Sequence, residues 1–593
     1  MKFKSTFTFL SILCYGLLVS ATHLSERAIE PPVNNSLFES FVPLSESPKN
    51  VIRNYTFELR KVNLSPDNFT RQVWSVNGQY PGPLIRANIG DTLNITVINM
   101  LGDPTSIHYH GLEQRNTSWY DGALGATQCP IPSGVNFSYV FNLTQSGTYW
   151  YHSHFSAQYV DGLKGPIVIH DPNDPHKNES DFEYVMTVSD WYHTPTGDPG
   201  MLPRFRRKNY VGFDPLPDSG EISGVGHYNC TIPTCNPNKF ATYSVQSGKR
   251  YRFRIINMSA MTHFRISIDQ HPLTIIEVEG TPIKPVTVYS IPINIAQRYS
   301  VIVVANQSVG NYWIRANLSH CSLPTDNFTI NNETPVFAND QITGILRYDG
   351  APLTNPTSQP YPTNTSNCHD PDNSILKPLN PPSPAVPQGT NITRINLEIA
   401  VRYRQMSGNN IMFFGMINNS TYHPSLAYPS IQKVIDNSSF GSSDNAYTYN
   451  IFNEPIEILL NNTENRTHPF HMHGHTFWVV AQGEIGSYNQ PLSSLKYDYD
   501  NPTLRDTLTV NELSLSVIRY YANNPGVWLI HCHIEWHIEI GMVAQLVELP
   551  DAFRSLAIPD NPSIRSVSQK IRIFGQLNEN NFDDSDCWND QGI

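Results

Sequence analysis

Several features are scarce in this chain of 593 residues. Beyond the first two dozen residues no apolar run approaches the roughly 20 residues of a membrane helix, so no spanning helix is expected. Charged residues make up 15% of the chain, form no long blocks of one sign and sum to a formal charge of -12. Such a surface offers no basic stripe to nucleic acid and no polybasic patch to anionic lipid. Sustained helical periodicity is also scarce. Alternation takes its place: Leu93, Ile95 and Val97 interleave with Asn94 and Thr96, and Tyr251, Phe253 and Ile255 with Arg252 and Arg254. That period of two marks half-buried antiparallel strands. The 46 prolines and 34 glycines punctuate them as turns require. The reading is an all-β, sandwich-type protein, and the length implies roughly two to four domains.

Cysteine is sparse too, with eight in the chain. Cys14 falls in an N-terminal stretch where Lys2 and Lys4 precede an apolar run from Phe7 to Val19 and small residues Val19, Ser20 and Ala21. Residues 1–21 therefore read as an export signal. Sequons such as Asn54-Tyr55-Thr56, Asn94-Ile95-Thr96, Asn142-Leu143-Thr144 and Asn317-Leu318-Ser319 agree with a secreted, extracellular glycoprotein. Cys532 sits between two histidines. The remaining six, Cys129, Cys230, Cys235, Cys321, Cys368 and Cys587, form an even set that suggests three disulfides. Spacing favours only the local Cys230–Cys235 bridge among the fifteen possible pairings. Boundaries fall at His170–Pro175 and in residues 351–390, rich in Ser, Thr, Asn and Pro, which read as a long surface connection. The expected organisation is domain 1 at 45–172, domain 2 at 173–350, a linker at 351–390, domain 3 at 391–560 and a tail at 561–593.

The first and last domains carry histidine clusters: His108-Tyr109-His110, His152-Ser153-His154, His468-Pro469-Phe470-His471-Met472-His473, and His531-Cys532-His533 followed by His537. A strand puts residues i and i+2 on one face, so each His-x-His pair aims two imidazoles the same way. One pair is readily two surface histidines; four pairs supply eight imidazoles, more than one metal accepts. Imidazole alone does not choose among Cu, Zn, Fe and Ni. The thiolate does. In an extended segment Cys532 points away from His531 and His533 and serves a different metal. With His468 and His537 it makes a His2Cys set, and Met542 is a candidate weak axial ligand, against the alternative of plain core packing. That is the ligand set of a blue-copper electron-transfer site. One copper then accepts single electrons and hands them through Cys532 to its covalent neighbours, which hold the cluster where dioxygen is reduced.

At these residues the sequence resembles the multicopper oxidases, and more closely the three-domain fungal laccases. The similarity covers nearly the whole mature chain and includes Trp119-Tyr120-Asp121-Gly122, Gln128-Cys129-Pro130, Trp150-Tyr151-His152-Ser153-His154, Asp190-Trp191-Tyr192-His193, Ala296-Gln297-Arg298-Tyr299, Asn311-Tyr312-Trp313-Ile314-Arg315, His468 to His475 and His531 to His537. The resemblance implies three consecutive cupredoxin-like Greek-key sandwich domains and four coppers per monomer. It places type 1 copper on His468, Cys532 and His537, type 2 on His108 and His471, and the type 3 pair on His110, His152, His154, His473, His531 and His533. His475 is not expected to bind metal. Asp121 and Glu535 match acids that deliver protons, Asp218 looks like the pocket acid that meets a phenol, and His537 is where electrons enter. The resemblance also pairs Cys129 with Cys587 and Cys321 with Cys368.

The implied activity is a laccase (benzenediol:oxygen oxidoreductase), with small aromatic reductants and dioxygen as partners and a monomeric state. Tyr109 stands where Trp is usual, Val160 where many basidiomycete laccases place a cysteine, and Met542 where Leu or Phe is usual. Rival readings are a ferroxidase, for which Asp190 and the site of Tyr289 are the residues to inspect, and an ascorbate oxidase, slightly favoured by Met542. A non-enzymatic secreted copper-binding protein would tolerate an incomplete ligand set, and this set is complete.

Overall fold

The computed structural model describes residue 41 and residues 50–197, 200–201, 214–228, 239–319, 341–362, 368–381, 383–388, 392–405 and 411–556. The expected export signal and tail lie outside these residues, as do Cys14, Cys230, Cys235, Cys321 and Cys587. Cys368 is disulfide-bonded and Cys129 is buried.

Six sheets come in three pairs, drawn from residues 52–170, 182–348 and 393–548. Each pair repeats one wiring scheme. The first long strand runs parallel to a later one: Ile52–Leu64 with Thr92–Asn99, Phe182–Trp191 with Arg250–Asn257, and Thr393–Gln405 with Glu454–Asn462. In the facing sheet a short strand runs parallel to the last one: Ile85–Asn88 with Lys164–His170, Ala241–Val245 with Gln341–Tyr348, and Ala446–Tyr449 with Val543–Glu548. Parallel neighbours need crossover connections, so each unit is a wound sandwich rather than a simple meander. The three all-β sandwiches expected from the sequence follow one another along the chain.

Alternation behaves as expected at the edge of the molecule. In Thr92–Asn99, Leu93, Ile95 and Val97 are fully buried, and the residues between them are half exposed. It fails in Arg250–Asn257, where Arg252 and Arg254 are as buried as the apolar residues between them. The second face of this sheet is covered as well. Arg254 reaches Glu183 at 2.9 Å and Thr148 Oγ1 of the first sandwich at 2.9 Å, and Arg252 pairs with Glu277 and Asp174. A buried cation needs such partners.

Among the described residues of 351–390 none lies in a strand, yet the segment is not merely a surface connection. Cys368, Leu376 and Val386 are buried. Asp370 accepts hydrogen bonds from Arg505 at 2.9 Å, Thr509 N at 3.0 Å and Gln297 Nε2 at 2.7 Å, fastening this segment between the second and third sandwiches.

Candidate metal centre

Strand register brings the histidine clusters together. His108 lies opposite His152 where Ile107–His110 pairs with Gly147–Ser153. In the third sandwich His468–Met472 lies between Thr507–Val510 and Gly526–Cys532, with Phe470 opposite Cys532 and His471 opposite His531. Within Ile107–His110 the alternation is direct: His108 and His110 face the cluster, and Tyr109 turns into the first sandwich against Tyr139 and Phe141. Gly111 closes that motif at φ +87°. A Cβ there would lie 2.6 Å from Arg298 Nη2 and 2.8 Å from Asp506 Oδ2, so the close approach admits only glycine.

Two separate sets of ligand atoms result. In the first, the Cys532 thiol sulfur is 3.5 Å from His468 Nδ1 and 3.3 Å from His537 Nδ1, all fully or almost fully buried. The strand ends at Cys532, and the short helix Glu535–Glu539 turns His537 back toward the sulfur. Burial pushes the Cys532 thiol up and His468 well down, so without a cation this pocket holds a neutral thiol beside a neutral imidazole. A bound metal ion reverses that logic and deprotonates the thiol. Met542 is fully buried, and its backbone is tied to both neighbours: its N–H donates to His537 O at 2.9 Å and its carbonyl accepts from Cys532 N at 3.3 Å.

The second set gathers the other eight imidazoles. Rings of His110 and His471 stack at 3.7 Å and those of His108 and His473 at 4.0 Å, while His154 stands 5.6 Å from His531 and His533 5.0 Å from His110. Burial first, and neighbouring imidazoles second, hold His110, His152, His473, His531 and His533 well below the ordinary histidine range, and bring His154 down to about 3. These are neutral rings with lone pairs available to a metal.

Their tautomers follow from their partners, because a carbonyl or carboxylate oxygen can only accept. Nδ1–H of His108 donates to Asp121 O at 2.7 Å, of His152 to Ser153 O at 2.9 Å, of His471 to Asp506 O at 2.9 Å, of His531 to Cys532 O at 2.9 Å, and of His473 to Asp121 Oδ2 at 2.8 Å. Each Nε2 is then a bare lone pair. Those of His108, His152 and His471 are buried without a hydrogen-bond partner. The Nε2 atoms of His473 and His531 lie 3.1 Å apart, where two lone pairs cannot hydrogen-bond to each other. A shared cation removes that conflict. His110 is reversed: its Nε2 faces Asp506 Oδ1 at 3.3 Å and Thr507 Oγ1 at 3.2 Å, leaving Nδ1 buried and unpartnered. The orphaned nitrogens fit a cluster of imidazole-binding ions, and the sulfur set fits copper.

The carboxylates divide by place. Asp121 is fully buried beside His108 and His473, with Oδ1 lacking a hydrogen-bond partner. Glu535 is buried at the start of the helix that carries His537. Asp218 is about two-fifths exposed and accepts from His193 N at 2.7 Å. The acid that reaches His537 is Asp214, whose Oδ2 lies 3.2 Å from His537 Nε2. The two stand four positions apart in a strandless segment, a shift that no periodicity reveals. Asp190 accepts from the backbone N–H groups of Ala260, Met261 and Thr262 and so braces a loop, while Tyr289 lies exposed against Tyr361. His475 stays out of both sets, with Nε2 3.1 Å from Glu548.

Sequence reasoning also missed Asp506. It is fully buried and held by Arg298, Nη1 to Oδ1 at 2.7 Å and Nη2 to Oδ2 at 2.5 Å. Burial opposes its charge, but Arg298 outweighs this and keeps the carboxyl well below its ordinary range. Arg298 belongs to the Ala296–Tyr299 motif, which was the available hint.

Three multicopper oxidase family models match residues 58–174, 182–351 and 413–552. The chain is 38% identical to Laccase-4 of Thanatephorus cucumeris over 88% of its own length and 95% of the relative, and 38% identical to a Trametes maxima laccase over 84% and 93%. Among solved structures it resembles the Botrytis aclada laccase, with a TM-score of 0.77 at 32% identity over 89% of this chain and 94% of that one. It also resembles Fet3p, described as a multicopper oxidase that functions in iron import, with a TM-score of 0.73 at 27% identity over 88% and 95%.

Proposed function

Since this chain belongs to the multicopper oxidase family, we propose that it works as a secreted laccase, oxidising phenols and aromatic amines one electron at a time while dioxygen is reduced to water. The observation that carries the reading is the placement of Cys532: its sulfur faces His468 and His537, and its covalent neighbours His531 and His533 face the eight-imidazole set. Type 1 copper is assigned to His468, Cys532, His537 and Met542, type 2 to His108 and His471, and the type 3 pair to His110, His152, His154, His473, His531 and His533. Four coppers supply the one-electron storage that four-electron reduction of dioxygen to two waters requires.

The chain's own residues do the rest. His537 is the ligand that donates to the largely buried acid Asp214, and its ring is the route by which an electron arrives. Asp214 spends Oδ2 on His537, so Oδ1 is the oxygen that a phenolic hydroxyl can reach. Two peptide units, one on each side of Cys532, then connect the sulfur to His531 and His533. Asp121, whose Oδ1 has no hydrogen-bond partner, is the first buried acid suited to proton delivery, and Glu535 is the second. Export is supported by the N-terminal order of basic, apolar and small residues and by the sequons; a monomer is the proposed state. Ferroxidase activity has less support, because Asp190 is consumed by three backbone N–H groups.

Oxygen uptake by the purified copper-loaded protein with a phenol, ascorbate and ferrous iron tests the reading. The phenol should be turned over with the highest kcat/KM, and Cys532→Ser should abolish both turnover and the intense visible thiolate-to-copper absorption. Preference for iron or ascorbate, or a Ser variant that still turns over, would overturn it.

A further inference from the structure

Asp214 does not serve His537 alone. The same Oδ2 accepts a hydrogen bond from Arg466 Nη1, also at 3.2 Å. Arg466 stands two residues before His468, and its place is braced: Asn462 Nδ2 donates to the Arg466 carbonyl at 2.7 Å and to the Asn511 carbonyl at 2.8 Å. Exposure falls steadily inward along the trio, from 24% for the Arg466 side chain to 10% for Asp214 and 1% for His537. Among the described residues Asp214 is the one hydrogen-bond partner of the guanidinium, which leaves most of its five N–H groups open.

This changes what the mouth of the site attracts. A lone carboxylate beside His537 would draw cationic amines and repel anions, on a chain whose net charge of -12 already repels anions. Arg466 cancels that local charge and places a planar cation further out, in the fork geometry that pairs with a carboxylate.

We propose that Arg466 is a specificity-determining residue that selects phenols bearing a carboxylate, the anionic group pairing with the guanidinium while the ring hydroxyl meets Asp214 and His537. The proposal rests on the laccase reading and narrows its substrate class. The electron and proton balance is unchanged: each phenol yields one electron and its hydroxyl proton, and four of each reduce one dioxygen to two waters.

The test compares copper-loaded wild type with Arg466→Gln and Arg466→Lys at low ionic strength, using 4-hydroxy-3-methoxybenzoate and its uncharged counterpart 2-methoxyphenol. Comparing the ratio of the two kcat/KM values between proteins removes the intrinsic difference in ease of oxidation. In Arg466→Gln this ratio should fall roughly tenfold, chiefly through KM of the carboxylated phenol, and Arg466→Lys should recover part of it. Calorimetric binding of benzoate, which is not oxidised, should weaken to a similar degree, and added salt should narrow the wild-type preference. Should Arg466→Gln lose its thiolate-to-copper absorption, the Lys variant and the salt series decide instead. An unchanged ratio with unchanged benzoate affinity overturns the assignment of Arg466. Failure of wild type to oxidise either phenol overturns the laccase reading, and this proposal with it.

Discussion

Asp506 orients two imidazoles at once: its carboxylate faces His110 Nε2 and its carbonyl accepts from His471 Nδ1. Asp506→Asn breaks a fully buried pair with Arg298, a change that costs about 3–5 kcal/mol when one partner is left uncompensated. It also frees His110 to expose the wrong nitrogen. The melting temperature should drop by several degrees and the copper-to-protein ratio should fall below that of wild type; an unaltered metal content would contradict the orienting role. Met542 gives a second residue-level expectation. If its thioether ligates, it stabilises the oxidised metal, so Met542→Leu should raise the type 1 potential in a redox titration. At this scale the sequence was legible where spacing has meaning: His108 and His110, or Cys532 between His531 and His533, follow from strand alternation. Asp214, Asp506 and Arg466 had no such signal. Each is a single charged residue brought to the site by tertiary contacts, and nothing in its neighbours announces the partner.

Among the elements, the segment after residue 350 shows how a stretch that reads as surface becomes part of the scaffold. Its His369 Nε2 lies 2.9 Å from Glu512 Oε2 in the third sandwich. Hydrogen bonding to Glu512 raises His369, and the same bond to His369 lowers Glu512, from starting values of 6.5 and 4.5. The histidine's contribution is complete below its unfolded value and fades as pH climbs through its raised folded one. The glutamate's contribution is complete above its unfolded value and fades as pH drops through its lowered folded one. The clasp is therefore strongest between about pH 4.5 and 6.5. His369→Gln should lower the melting temperature most in that window, by an amount worth less than about 1 kcal/mol, and hardly at all near pH 8. A deficit that is the same at both ends would show that the ion pair contributes nothing. The composition of residues 351–390 pointed to a surface connection and not to the docking, because no period sets its buried anchors apart: Leu376 is buried while its neighbour Ile375 is exposed. Alternation likewise located Arg250–Asn257 and missed that both its faces are covered, since the partners of its arginines come from distant strands.

Across the whole molecule, the eight-imidazole set joins segments near residues 108–154 to segments near residues 471–533, so a metal bound there ties the first sandwich to the third. Binding to the folded form alone stabilises it by mass action, about 4 kcal/mol when the metal is a thousandfold above its dissociation constant. Removing copper should lower the calorimetric melting temperature, and returning copper should restore it; equal values for stripped and loaded protein would show that the metal is no clamp. Punctuation and alternation alone showed strand-rich blocks, and their repeated wiring came from the resemblance to multicopper oxidases, whereas the union of the outer two was implied by the split distribution of histidine pairs. That union also dictates when reactivity begins. A ribosome must pass His533 in a chain of 593 residues before the last of these donors exists, so a nascent product that stops short of that point cannot assemble the eight-imidazole set.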